Sequence, residues 1–293
     1  VALGAALWGT ETLWRVFLNK LFPADVLVFL EHGYCVLFTL PILWWHRHRL
    51  ASIAPRAWWF LLGSGLIGSA LGTFCFTESL RTVNLTVANV LLNIQPVFTA
   101  FYARWLLKEH FGKGFFGWSF VAISAGILLS LESLSLENLK TEGHLGWVLA
   151  TAACWSFATV AGRGANTGMS FWVASPLRFV IGLVGMGLLV VLNGHATSES
   201  FNLGAFEQWQ THQDFLLLSI LAGVLPLFLY FRGLSSTPAS VGSFLEMFQI
   251  LAALVVTWGF FGDALAPHQI AGGLLLMVAV FQINQIQSRC QPA

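Results

Sequence analysis

"VLVFLEHGYCVLF", residues 26–38, is an apolar run with a carboxylate, Glu31, in its middle. A charge at the centre of a bilayer-spanning helix costs at least about 2.5–3.5 kcal/mol on insertion scales, so it faces a partner or a watery space. The run decides the fold class because the rest of the chain reads the same way. Of 293 residues, 57% are hydrophobic and 9% charged, with mean hydropathy +0.75. A water-soluble domain carries roughly 25% charged residues. These proportions predict an all-α integral membrane protein whose surface meets the lipid bilayer. The net charge of +1 and the lack of a basic run point to no nucleic-acid partner.

A hydrocarbon core about 30 Å thick needs about 20 apolar residues of helix. Ten runs qualify as transmembrane helices: 1–18, 26–45, 58–77, 85–107, 115–131, 145–162, 171–192, 214–231, 240–261 and 269–287. The connections are short except for the polar segments 132–144 and 193–213, which leaves no room for a water-soluble domain. The chain opens at Val1 inside an apolar run, and an N-terminal extension before it is expected. Arg47, Arg49, Arg56, Lys108, Lys113, Arg163, Arg232 and Arg289 fall on one side of the bundle, against Lys20, Arg81 and Lys140 on the other. The excess marks the cytoplasmic side, so both termini are expected there. Trp44, Trp45, Trp58, Trp59, Trp105, Trp118 and Trp172 lie near span ends, as an interfacial belt requires.

The chain also repeats itself. A shift of 147 residues lays Trp8 over Trp155 and Glu31 over Arg178. A shift of 154 lays "ESLRTVNLTVANVLLNIQ" (78–95) over "RGLSSTPASVGSFLEMFQ" (232–249). Leu80, Val87, Leu91 and Gln95 then match Leu234, Val241, Leu245 and Gln249, while Glu78 meets Arg232 and Glu109 meets Asp263. Each half, 1–131 and 145–287, holds five runs. Five is odd, so the halves are expected to insert in opposite directions. Such inverted repeats accompany alternating access, with the binding site between the halves near the midplane.

With these features the chain resembles the EamA-type branch of the drug/metabolite transporter superfamily. The resemblance rests on the ten spans in two halves, Trp8-Gly9 in the first span, and "NVLLNIQPVFTAFYARWLLKEHFGKGFFGW" (89–118). In that family the fourth span carries a Pro and then a Glu near its cytoplasmic end, followed by a Gly in the fifth, here Pro96, Glu109 and Gly117. The second span usually carries a basic residue where this chain has Glu31, whereas Arg178 fits the pattern in the seventh. The resemblance implies a secondary transporter, most often an exporter of amino acids or other small metabolites from the bacterial inner (cell) membrane.

Buried charges and amides mark the candidate site. Glu31, Arg178 and Glu246 each lie several residues inside an apolar run, and Glu31 and Arg178 share one slot with opposite sign. Glu31, Glu78, Arg178 and Arg232 are assigned to gating or coupling. Trp8, Asn89, Asn93, Trp155, Glu246 and Gln249 are assigned to substrate binding. Thr86, Asn89, Asn93 and Pro96 share one helix face, and an indole N–H deep in a span needs a partner, which brings in Trp8 and Trp155. Glu11 and Arg15 stand at i and i+4, the spacing of an intrahelical ion pair. Pro96 and Pro226 remove mid-span backbone hydrogen bonds and permit kinks. Gly63, Gly65, Gly68 and Gly72, with Gly182, Gly185 and Gly187, permit close helix contact.

The expected activity is secondary active transport of a small polar or zwitterionic metabolite, with Glu31, Glu78 and Glu246 as candidates to carry a coupling proton. A multidrug or nucleotide-sugar transporter is the alternative, and a channel or a membrane-embedded enzyme stands behind both. The chain has no HExxH or GxSxG, and only His32 of its eight histidines lies well inside a span. Its four scattered cysteines have no metal-ligand spacing. No enzyme activity, cofactor or metal is therefore expected, and the assembly is expected to be a monomer or a homodimer.

Overall fold

The computed structural model describes residues 1–131, 144–261 and 265–290. Lys140 and Asp263, used above for orientation and for the repeat, lie outside them. Every regular element among the described residues is helical. That is what a bilayer imposes, because each backbone N–H and C=O must find its partner within the segment.

The elements run in order as α1 (Ala2–Trp8), α2 (Thr12–Leu21), α3 (Ala24–Trp45), α4 (Pro55–Thr82), α5 (Leu85–Leu92), α6 (Gln95–Tyr102), α7 (Phe115–Ser130), α8 (Leu145–Asn166), α9 (Phe171–Leu192), α10 (Trp209–Leu234), α11 (Ala239–Glu246), α12 (Phe248–Phe261) and α13 (Pro267–Cys290). Eight helical stretches of the described residues are long and apolar enough to cross a membrane: Ala24–Trp45, Pro55–Thr82, Leu85–Leu107, Leu145–Asn166, Phe171–Leu192, Trp209–Leu234, Ala239–Val256 and Pro267–Cys290. Ten were expected. The difference lies in 115–131, where α7 has 16 residues, short of the hydrocarbon thickness at about 1.5 Å per residue, and in 1–18.

The run 1–18 folds as two short helices, α1 and α2, with a break at Gly9–Glu11. Thr10 and Glu11 bond back to Leu7 and Trp8, a tighter i−3 turn, and the Thr10 hydroxyl donates to the Leu7 carbonyl at 2.7 Å. A Cβ on Gly9 would lie 2.2 Å from the backbone oxygen of Gln249. The break therefore sits where α12 passes against bare backbone.

Two further interruptions fall in the register of the repeat. The run 85–107 breaks at Asn93–Ile94, just before Pro96, and the run 240–261 breaks at Met247. Both breaks are closed by i−3 bonds, Asn93 to Val90 and Met247 to Phe244. Wide π-helical turns occupy Ser64–Gly72 in α4 and Leu218–Val224 in α10, the second ending just before Pro226. A shift of 154 residues carries Asn93 onto Met247, and Ser64 onto Leu218.

Glycines set the closest approaches. A Cβ on Gly68 would lie 2.1 Å from the Ala158 Cβ, and one on Gly65 would lie 2.6 Å from Ile181. These positions seat α4 against α8 and α9. Helices α7 and α13 pack on each other through Phe115, Ala122, Ala125, Leu129, Leu276, Ala279 and Ile283. Two polar clasps hold the ends. The buried Glu109 carboxylate accepts from the Ala239 and Ser240 N–H groups, at 2.7 and 3.2 Å, and caps α11. Buried Asp25 accepts from Asn193 and bonds His195, both at 2.9 Å, tying the 193–213 segment to the start of α3. Leu37, Phe101, Phe120, Val184, Leu188 and Phe281 point outward, where lipid meets them.

Candidate functional site

A cavity of about 780 Å³, its open part included, lies among the helices. Its wall takes residues from α1, α2, α3, α4, α6, α8, α9, α10, α11 and α12, together with Glu11 at the first break. Neither α7 nor α13 contributes to it. A smaller cavity of about 240 Å³ adjoins it at the two helix breaks and shares Gln95, Glu246 and Gln249.

On one side of the main cavity stands a charge cluster. Arg15 is 1% exposed and is the hub. It donates to Glu31 at 2.9 Å, to Glu11 at 3.2 Å and to the Thr77 hydroxyl at 3.0 Å. The carboxylate in the middle of an apolar run is thus held by a guanidinium on a neighbouring helix, with a second acid sharing the same cation. Next to it His32 bonds the Val28 carbonyl through Nδ1 at 2.8 Å and the Ser69 hydroxyl through Nε2 at 2.9 Å. A carbonyl only accepts, so Nδ1 carries the hydrogen, and in the neutral ring Nε2 accepts from Ser69.

The other side is built differently. Glu246 Oε1 accepts from the Thr159 hydroxyl at 2.7 Å and from the Tyr230 hydroxyl, which also reaches Thr159 at 3.0 Å. Its Oε2 has no hydrogen-bond partner among the described residues. Arg178 is buried on the same wall and makes no hydrogen bond or ion pair among the described residues. Its guanidinium carbon stands 5.5 Å from the Phe231 ring centre. Gly68 borders its slot: a Cβ there would touch Arg178 Nη2 at 3.4 Å and clash with the Ala158 Cβ at 2.1 Å. Trp8 packs on Tyr230 with ring centres 4.8 Å apart, and Trp155 packs on Phe76 at 5.0 Å. The indole N–H groups of Trp8 and Trp155, and the side-chain amides of Gln95 and Gln249, have no hydrogen-bond partner among the described residues.

Six of the ten residues singled out from the sequence line the main cavity: Trp8, Glu31, Trp155, Arg178, Glu246 and Gln249. Asn93 lines the smaller one. Its amide donates to the Asn89 carbonyl at 2.8 Å and to Ser130 at 3.1 Å. Asn89, Glu78 and Arg232 line neither. Glu78 stands 3.6 Å from Arg81 near the end of α4, and Arg232 is exposed. Sequence reasoning took Glu11 and Arg15 as a local pair and left Tyr230, Thr159, Ser69 and His32 unassigned. A phenol and an imidazole inside apolar runs were the available signals. The repeat mates Trp8 and Trp155, Glu31 and Arg178, and Gln95 and Gln249 all meet on this one wall.

A partly open cavity within a lipid-facing bundle, displaying unpartnered donors and acceptors between aromatic rings, can hold a small polar molecule. Residues 1–131 and 144–285 match the EamA-like transporter family. The chain belongs to that family. It is an integral membrane transporter of the drug/metabolite superfamily, with a small-molecule substrate. It is 26% identical to the riboflavin transporter ImpX of Fusobacterium nucleatum, over 98% of this chain and 96% of that protein. It is also 26% identical to a riboflavin transporter of Rhizobium johnstonii, over 98% of this chain and 90% of that one. The inner membrane protein YtfF of Escherichia coli is 24% identical over 41% of the chain. A solved crystal structure shares the fold at TM-score 0.72 and 15% identity, covering 98% of this chain and 96% of its own.

Proposed function

We propose that this protein is a secondary transporter of riboflavin or a closely related planar metabolite, carried by alternating access through the central cavity. The observation that carries the reading is the wall itself: two indoles, a phenol, two glutamine amides, a free guanidinium and a half-used carboxylate face one space. A flavin offers a large aromatic face, a heterocyclic edge of donors and acceptors, and a polyol tail, and such a wall suits all three. The names of two relatives that span nearly the whole chain move the substrate from the amino acids first expected to a flavin.

In this reading the protein comprises ten crossings in two oppositely inserted units, 1–131 and 145–287. The pair α1–α2 supplies the first crossing and α7 the fifth. The reading is supported by the breaks at Asn93 and Met247, by the π-helical turns in the same register, and by the repeat mates on one wall. The family match also falls in two stretches. The basic residues at Arg47, Arg49, Arg56 and Arg163 favour cytoplasmic termini, and the bacterial relatives favour the inner membrane.

The test is counterflow of labelled riboflavin into proteoliposomes preloaded with unlabelled riboflavin. Saturable, protein-dependent accumulation is expected, with loss on Trp8→Ala and Trp155→Ala. A preparation that counterflows amino acids and not riboflavin would return the substrate to a zwitterion, with Arg178 and Glu246 as its two charge partners.

A further inference from the structure

Among the unpartnered groups on the cavity wall, the Arg178 guanidinium and the Glu246 carboxylate are complementary in charge. Arg178 presents a planar fork of N–H donors with no acceptor, and Glu246 presents one free oxygen, Oε2. They share the wall without forming an ion pair with each other, so the space between them is left for something else. The rest of Glu246 is fixed, because Tyr230 and Thr159 both donate to Oε1 and aim Oε2 away from themselves. The Tyr230 ring is in turn packed on Trp8 at 4.8 Å, so an aromatic face lies beside the carboxylate.

We propose that Arg178 and Glu246 form a reader for a planar heterocyclic imide, the C(=O)–NH–C(=O) edge of a pyrimidinedione. In this pose an imide carbonyl accepts from the Arg178 guanidinium, the imide N–H donates to Glu246 Oε2, and the ring stacks against Trp8. The proposal rests on the transport reading above and sharpens it. Recognition lies in the heterocyclic edge and not in the sugar-alcohol tail, so ring systems carrying the imide without a ribityl chain belong to the substrate class. A guanidinium donates and never accepts, and an ionised carboxylate accepts and never donates. An acceptor–donor edge therefore satisfies both at once. Blocking the donor leaves a buried charged acceptor unpaired, which is how a polar site rejects an analogue lacking one hydrogen.

The chemistry is tested on the ligand side first, so that no variant needs to fold. Binding to the purified wild-type protein is measured by tryptophan quenching or calorimetry with riboflavin, N3-methylriboflavin, lumichrome (the imide ring system without ribityl) and free ribitol. We expect lumichrome to bind within about tenfold of riboflavin, N3-methylriboflavin to bind at least tenfold more weakly, and ribitol not to compete. In Glu246→Gln the methylation penalty shrinks, because the acceptor it offends has changed, and Arg178→Lys weakens riboflavin and lumichrome alike. Riboflavin binding that N3-methylation leaves unchanged would overturn the imide reader while the transport reading stands. Lumichrome binding without riboflavin counterflow would uphold the reader and overturn the transported substrate. A protein that binds none of the imides overturns both.

Discussion

Arg15 and Arg178 are both buried guanidiniums on the wall of one cavity, and they are treated in opposite ways. Arg15 is given two carboxylates and a hydroxyl at 2.9–3.2 Å. Arg178 is given an aromatic ring at 5.5 Å and no acceptor. Arg15 Nε and Glu31 Oε2 lack a hydrogen-bond partner, but the charge of Arg15 is matched by two acids. A buried charge so matched is architecture, whereas one left without an opposite charge destabilises the fold and persists where a ligand completes it. The cavity thus has a finished side, around Arg15, and an unfinished side, around Arg178 and Glu246.

The contrast is open to mutation, and the largest effect falls on the finished side. Arg15→Leu strips the cation from buried Glu31 and half-buried Glu11, and its cost is about 3–5 kcal/mol. That appears as a lowered melting temperature in detergent or as loss of folded protein on size exclusion. The same change at the other guanidinium, Arg178→Leu, removes an unpartnered charge, and the protein melts at or above the wild-type temperature. Equal losses at the two positions would erase the distinction. Gly68→Val probes the slot itself. Its new Cβ would lie 2.1 Å from Ala158 and 3.4 Å from Arg178, so overpacking costs about 1–3 kcal/mol, and ligand affinity falls with stability. Glu109→Gln is the remote comparison. It weakens the cap on α11 by about 1–2 kcal/mol and leaves binding affinity per folded molecule unchanged. Tyr230→Phe is the smallest of the set, at about 1 kcal/mol. It frees Glu246 Oε1 from one donor, and its larger consequence is weaker discrimination between ligands.

Much of this arrangement was legible in the sequence. Glu31 stands out as a charge needing a partner, and a shift of 147 residues lays it over Arg178. The same register picked Trp8 and Trp155, and the shift of 154 picked Gln95 and Gln249. All six line the cavity. Sequence did not reveal that Glu31 is held by Arg15. Glu11 is the nearer partner along the chain, and only the packing of α2 on α3 brings the third member in. Nor did it reveal the break at Gly9, which lies against the backbone of Gln249, 240 residues away. Two of the polar residues picked near span ends line neither cavity. Glu78 and Arg232 sit at repeat-related positions, yet one is matched by its own turn's Arg81 and the other reaches the surface. Asn89 shares a face with Asn93, but its carbonyl is used by Asn93, and its side chain lines neither cavity.

One measurement bears most directly on the claim that the unfinished side is the transported molecule's own. Riboflavin counterflow is compared between wild type and Arg178→Leu in proteoliposomes of matched protein content, with melting temperatures recorded on the same preparations. Loss of counterflow by at least tenfold, in a protein that melts no lower than wild type, is the predicted result. Wild-type counterflow from Arg178→Leu would contradict it.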